Sequence, residues 1–319
     1  MCAGKQVACR TTGRTFVKYK YDQPAPNLIE VTRIITNGYN FGNLPPVLSV
    51  IIPTSDGCRN GLFRALLNQI REQSFQDFET IVVKGDSKQG RAINTGVDVA
   101  RGKYILTLDD DTLLQSKDAF SLLVQVMDDH KNIGMAGGIN VVPAEAPSFI
   151  RRAMREIPRR SMPQVEKITD SDLAEHPLLI MRKEDFKSIG GENELLPRGL
   201  DPYLRQKYRE RGFRVVVVPN VFYSHLPPPT VYKLIRQFFR NGFHAAFCNK
   251  FYPQWVVETP DHHGNGFITR RPFHFRAARF IFSMAIKAAK MHFIYFTAFT
   301  AYAAGFICGY LVQKKNTSA

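Results

Sequence analysis

From Val47 onward, short apolar runs alternate with segments of helical spacing, and this alternation limits the fold more than any other feature of the chain. Val47–Ile52 is apolar and closes on Pro-Thr-Ser, the pattern of a buried strand ending in a loop. Within Gly61–Gln73, Leu62, Ala65, Leu66, Gln69 and Ile70 fall on one helical face. A strand follows at Glu79–Val83, a helix at Gly90–Ala100, a strand at Lys103–Leu108, a helix at Lys117–His130 and a strand-like run at Ile133–Val142. A Pro-, Arg- and charge-rich insertion occupies 144–176. Beyond it come a strand at Pro177–Arg182, a helix at Asp201–Arg211 stopped by Gly212, and a β run at Phe213–Pro219. Strands taking turns with helices predict an α/β domain with a mostly parallel sheet. Residues 1–46 form a polar, irregular N-terminal extension with β-rich pieces at Thr15–Tyr21 and Leu28–Thr36.

The third strand stops at Asp109-Asp110-Asp111. Carboxylates there sit at the C-terminal end of a strand, the edge where open α/β sheets bind ligands. Residues at i and i+2 outside regular structure can turn toward one ion, and hard oxygen ligands suit Mg2+ or Mn2+ bridging to substrate phosphates. The plainer alternative is an acidic helix N-terminus, favourable at the dipole. Position after a buried strand favours the ligand reading.

The runs LSVIIPT at 48–54, FETIVV at 78–83, RAINTG at 91–96 and ARGKYILTLDDD at 100–111 resemble a family 2 glycosyltransferase of GT-A fold. MRKEDFKSIGG at 181–191, GLDPYL at 199–204 and GFR at 212–214 resemble later blocks of that family, so the likeness spans about 47–226. The resemblance implies a GT-A type, mostly parallel sheet flanked by helices, and a nucleotide-diphospho-sugar donor. Base and ribose would lie near Pro53, Thr54, Asp86 and Arg91, with Asp109 and Asp110 also on the donor. Asp109, Asp111 and His225 would hold the divalent cation, Mg2+ or Mn2+. Asp201 would be the base that deprotonates the acceptor hydroxyl in a single inverting displacement. Chemistry asks for the same parts: a departing diphosphate needs positive charge, and an alcohol acceptor needs a base within reach. Asp201 also reads as an N-cap with Pro202 at the first helical position, and His225 as a hydrogen-bonded core histidine. The sequence departs from the family at Leu200, where an acid precedes the base, and at Lys84, where an acid is usual. The Q-x-x-R-W of processive members is missing near RQFFRNG at 236–242, which favours transfer of a single sugar.

Lys plus Arg number 43 against 28 Asp plus Glu, a formal charge of +15 that calls for acidic partners. With 44% hydrophobic residues the chain is not a disordered polyelectrolyte. Five Cys without a C-x-x-C read as reduced thiols. Residues 291–313 carry no charged side chain; as a helix they rise about 34 Å, enough to cross a bilayer, so a transmembrane helix is expected there, with a buried helical hairpin as the alternative. Lys233, Arg236 and Arg240 share a helical face, as do Arg276, Arg279, Lys287 and Lys290, so 231–290 reads as membrane-interface helices after a glycosyltransferase domain at 47–230. The basic excess ahead of 291 over Lys314 and Lys315 places the catalytic domain on the cytoplasmic face. A membrane setting suggests a lipid-linked or cell-envelope glycan acceptor, with Arg151, Arg152, Arg155, Arg159 and Arg160 available for a diphosphate or anionic headgroup.

Two rival classes start from other residues. Asp261-His262-His263 spells a triplet of metal-dependent phosphoesterases and could join Asp109 and Asp111. The net charge alone suggests a basic nucleic-acid-binding protein, but no zinc-finger, RRM or helix-turn-helix pattern accompanies it, and no nucleic acid partner is expected.

Overall fold

A computed structural model describes residues 14–15, 30–34, 44–258, 260, 262–264 and 271–314. Most of the two β-rich pieces expected before residue 36, and Asp261 of the acid–histidine triplet, lie outside the described residues.

The strands are β1 (Arg14–Thr15), β2 (Glu30–Ile34), β3 (Leu48–Thr54), β4 (Phe78–Lys84), β5 (Tyr104–Thr107), β6 (Thr112–Leu114), β7 (Ile133–Asn140), β8 (Thr169–Asp170), β9 (Leu179–Arg182) and β10 (Arg214–His225). The helices are α1 (Leu62–Arg71), α2 (Gln89–Val99), α3 (Ala119–Asp129), α4 (Ser148–Glu156), α5 (Lys183–Ser188), α6 (Leu200–Glu210), α7 (Val231–Phe251), α8 (Phe273–Ala289) and α9 (Phe293–Val312). One sheet runs β1-β2-β4-β3-β5-β9-β7-β10-β6, with β8 on β10.

The centre of the sheet follows the sequence pattern. β3 pairs in parallel with β4 and β5, and β10 with β7, and their side chains are buried on both faces. Alternating βα units generate that arrangement, because a parallel neighbour needs a crossover helix. The remaining pairings, at β2, β6, β8 and β9, are antiparallel, so the sheet is mixed and less parallel than the alternation predicts. α2 lies close on the sheet at Gly96, where a Cβ would come 2.5 Å from Ile51 Cγ2.

The last three helices divide by how they are held. Leu234 and Phe238 of α7 pack on Ala153 and Ile157 of α4 and its C-cap. At its other end Cys248 packs on Leu196 and Leu200. α7 is therefore packed against the rest of the α/β fold at both ends. α9 crosses α7 at backbone distance: a Cβ at Gly242 would stand 1.9 Å from Tyr302 O, and one at Gly305 2.0 Å from Phe239 O. α8 buries none of its residues.

Candidate active site

The turn after β5 gathers the acids. Thr112 N donates to Asp109 O (3.0 Å), and β6 doubles back onto β10 with Thr112 opposite His225. That register sets His225 beside Asp111, Nε2 to Oδ1 3.2 Å. Asp109, Asp111 and His225 offer ligand atoms all within 4.8 Å of one another, the one such group of three among the described residues. Two carboxylates and an imidazole fit a divalent cation of the Mg2+/Mn2+ type. Asp110 turns away: its Oδ2 accepts from the Thr54 hydroxyl at 2.7 Å, while Thr54 Oγ1 accepts from Gly57 N at 3.0 Å. Gln89 Nε2 donates to Asp109 Oδ1 at 2.8 Å.

Two arginines border this cluster, and one was invisible in the sequence. After β3 the backbone enters the left-handed region at Gly57, Arg59, Asn60 and Gly61 (φ 69°, 46°, 55° and 92°). Asp56 Oδ1 holds the turn by accepting from Cys58 N (2.9 Å) and Arg59 N (3.0 Å). The result swings Arg59 over the acids, where Nε and a terminal nitrogen donate to Asp111 Oδ2 at 3.0 and 2.6 Å. Arg59 Nε also lies 3.4 Å from Asp110 Oδ1. Non-glycine residues at positive φ cost free energy and recur at functional sites. On the far side Arg160 reaches His225 Nδ1 at 3.4 Å. Its neighbour Arg159 is tied to Glu175 (Nε to Oε1 2.8 Å). Of the other insertion arginines, Arg152 pairs with Glu156, and Arg151 and Arg155 are exposed.

Electrostatics separate the acids. Burial pushes the Asp109 carboxyl up to about 6, with His225 opposing and Asp111 adding to the rise. Burial also acts to raise Asp111, but the imidazole of His225 and the guanidinium of Arg59 outweigh it and hold this carboxyl well below the usual range. Asp110 is raised by burial against the Thr54 hydrogen bond.

Asp201 is the second residue of α6, whose N-cap is Gly199 in the left-handed region (φ 83°). The expected cap, with Pro202 at the first helical position, is therefore two residues off, and Pro202 is the third residue of the helix. Asp201 Oδ1 accepts from His176 N at 2.8 Å, and the side chain stays 28% exposed, open to a second partner. The ring of His176 is almost fully buried, with Nδ1 3.0 Å from Thr107 Oγ1, and Nε2 2.9 Å from Glu192 Oε1 and 3.9 Å from Asp201 Oδ1. Glu192 follows Gly190 and Gly191, both at positive φ. It brings a buried carboxylate next to the region where the sequence has Leu200 in place of an acid. Burial works against protonating His176, but Asp201 and Glu192 raise it to about 9.

A pH dependence follows. The folded imidazole binds its proton more tightly than the unfolded one at about 6.5, so the stabilisation is fully present below about 6.5 and is lost as pH rises through about 9. Urea unfolding of the native chain should lose up to ~3 kcal/mol between those values. His176→Gln should flatten that slope while lowering stability throughout, because Glu192 loses its buried partner.

The remaining expected donor residues are placed as follows. Asp86 and Arg91 clasp each other through two contacts of 2.7 Å, and Asp86 Oδ1 also accepts from Lys88 N at 2.8 Å where α2 begins. Pro53 sits half-buried in β3, one residue before Thr54. His263 is engaged at both ring nitrogens, with Ser171 Oγ and Pro163 O each at 2.9 Å, and takes no part in the acid cluster.

A mixed α/β sheet flanked by helices, with paired carboxylates at the end of a central strand, defines the GT-A class of glycosyltransferases. Residues 84–190 match the family model described as glycosyl transferase family 2. The fold is similar to that of the mannosyltransferase PcManGT from Pyrobaculum calidifontis, solved with GDP-Man and Mn2+ (13% identity, TM-score 0.53, 85% of this chain and 89% of that one). It is also similar to S. aureus TarS 1-349, at 13% identity and TM-score 0.42 over 82% of this chain and 90% of that one. No curated protein matches the sequence. Part of the chain is thus similar to family 2 glycosyltransferases, on a fold similar to that of a solved mannosyltransferase.

Proposed function

We propose that this enzyme transfers a single sugar from a nucleotide-diphospho-sugar to an acceptor hydroxyl with inversion, within a catalytic domain spanning about 47–230. The carrying observation is the division of the site into two parts. Asp109, Asp111 and His225 form a ligand cluster between two guanidiniums, and Asp201 stands apart, held by His176 with one face open. Asp109, Asp111 and His225 would hold a divalent cation, Mg2+ or Mn2+, which when bound would supply positive charge to the departing diphosphate.

The roles of the side chains follow from their chemistry. Asp201 takes the proton of the acceptor hydroxyl as that oxygen bonds to the anomeric carbon. The bond from the anomeric carbon to the donor phosphate oxygen breaks, and its electron pair leaves on the nucleoside diphosphate. Arg59 and Arg160 flank the place where that charge develops, and fixed cations there favour the transition state over the bound donor. Thr54, Asp110, Asp86 and Arg91 shape the nucleotide side, beside Pro53. His176, carrying its proton, keeps Asp201 ionised and ready at neutral pH. The basic, apolar C-terminal helices support an acceptor presented at a membrane, either a lipid-linked or an envelope glycan, with the catalytic domain on the cytoplasmic side.

A panel of nucleotide-sugars tested by calorimetry with Mn2+ or Mg2+ examines this reading. One donor should bind in the micromolar range typical of enzyme substrates, roughly 1 μM to 1 mM, and lose most of that affinity on chelation. Absence of cation-dependent binding across the panel would overturn it.

A further inference from the structure

We propose that α8 and the outer face of α9 lie in the plane of an anionic phospholipid leaflet, so that the chain rests on one side of the bilayer and does not cross it. The inference concerns attachment alone and stands independently of the reaction assigned above.

By length and apolar composition, α9 passes as a bilayer-crossing helix. Its packing says otherwise. A crossing helix must present most of its circumference to lipid or to other apolar helices. One face of α9 is committed at backbone distance to α7, through Gly305 on Phe239 O and Gly309 on Phe243 O, with Tyr295 and Ala298 buried on the same side. α7 cannot accompany α9 into hydrocarbon. It carries Lys233, Arg236 and Arg240, all exposed, and both its ends are packed into the catalytic domain. The start of α9 is fixed there too: Glu156 Oε2 of α4 accepts from Ile294 N and Tyr295 N (2.9 and 3.1 Å), and Arg152 donates to Met291 O. Crossing would require all of these contacts to break.

What remains for lipid is a stripe. Phe293, Phe296, Thr300, Ala304, Ile307 and Leu311 are exposed at spacings of three and four, opposite the buried line. α8 runs beside it with Phe273, Phe275, Ile281 and Phe282 exposed and nothing buried. Leu44 and Leu195 apart, the exposed large hydrophobics of the described residues all lie from Val231 onward. Scattered apolar residues need no explanation, but a face this continuous marks an interaction surface. The charge around it names the occupant. From residue 262 to the C-terminus the sequence has no Asp or Glu and eight Lys and Arg, more than half of the net +15. Apolar side chains bordered by cations, without acids, complement anionic headgroups over acyl chains.

Two measurements on the full chain test this. In sealed inside-out vesicles from cells expressing the enzyme with an N-terminal and a C-terminal epitope tag, added protease should remove both tags. Removal of only one would show a crossing and overturn the proposal. Purified enzyme should sediment with phosphatidylglycerol/phosphatidylcholine vesicles and bind phosphatidylcholine vesicles more weakly. Ile281→Glu/Phe282→Glu should weaken the former by roughly tenfold or more while cation-dependent donor binding is unchanged. Lys287→Gln/Lys290→Gln, a pair that leaves the apolar face intact, should remove most of the preference for the anionic lipid. Sedimentation unaltered by both pairs would equally overturn it. Because donor binding is read separately, a failure here is distinct from a failure of the enzymatic reading.

Discussion

Asp201→Asn should lower sugar transfer by about 10³- to 10⁴-fold while leaving the affinity for the nucleotide-sugar within about twofold. The substitution keeps the shape of the side chain. Its carbonyl oxygen can still accept from His176 N, the contact that fixes the start of α6 against the loop before β9. What it removes is the capacity to take a proton. The carboxylate is well suited to that task in its present surroundings. Burial tends to raise its pKa, but the charges of His176, Arg205 and Arg159 and the His176 backbone hydrogen bond lower it overall, so it is ionised at neutral pH. The donor cluster shares none of these hydrogen bonds and feels Asp201 only through its charge on Asp109, which is why binding should largely survive. The loss should appear in kcat rather than in the donor Kd, a pattern expected when an interaction acts in the transition state only. Transfer retained within about tenfold would take Asp201 out of the base role.

The parts of the site differ in how far the sequence discloses them, and the difference is physical. The order of strands and helices is legible because buried strands and amphipathic helices write different apolar periods, and α1, α2 and α3 begin and end within two residues or so of the expected bounds. Asp109 and Asp111 are legible by position, since a strand stopped by acids has few other uses. The approach of His225 to Asp111 depends on β6, three residues long and without a periodic signature, pairing with the far end of β10. Arg59 enters the site through a left-handed turn that local spelling marks only as Arg-Asn-Gly. His176 meets both Asp201 and Glu192 through contacts between segments far apart in the chain, and a sequence pattern carries no distance of that kind. The Gly305 and Gly309 spacing is present in the sequence, yet composition alone does not distinguish a helix greased for lipid from one closely packed on α7. Residue pattern fixes what an element is; long-range packing decides what it faces.

Asp111→Asn should weaken cation-dependent donor binding by about a hundredfold and transfer by about 10³-fold, with little change in the binding that survives chelation. The expected split comes from where Asp111 sits. It is the one carboxylate shared between the imidazole of His225 and the guanidinium of Arg59, and those two neighbours keep it ionised well into acid solution. Asparagine preserves an oxygen toward Arg59 but removes the negative charge that a divalent cation requires from this set. Asp109 and His225 alone would offer the cation a single negative charge where the native set offers two. Arg59 and Arg160 remain in place and still attract a diphosphate, so binding without a cation should persist near the native level. Isothermal titrations with and without Mn2+ separate the two components. If the substitution lowered both equally, Asp111 would be acting through its hold on Arg59 rather than as a cation ligand. The metal would then have to be assigned to other oxygens.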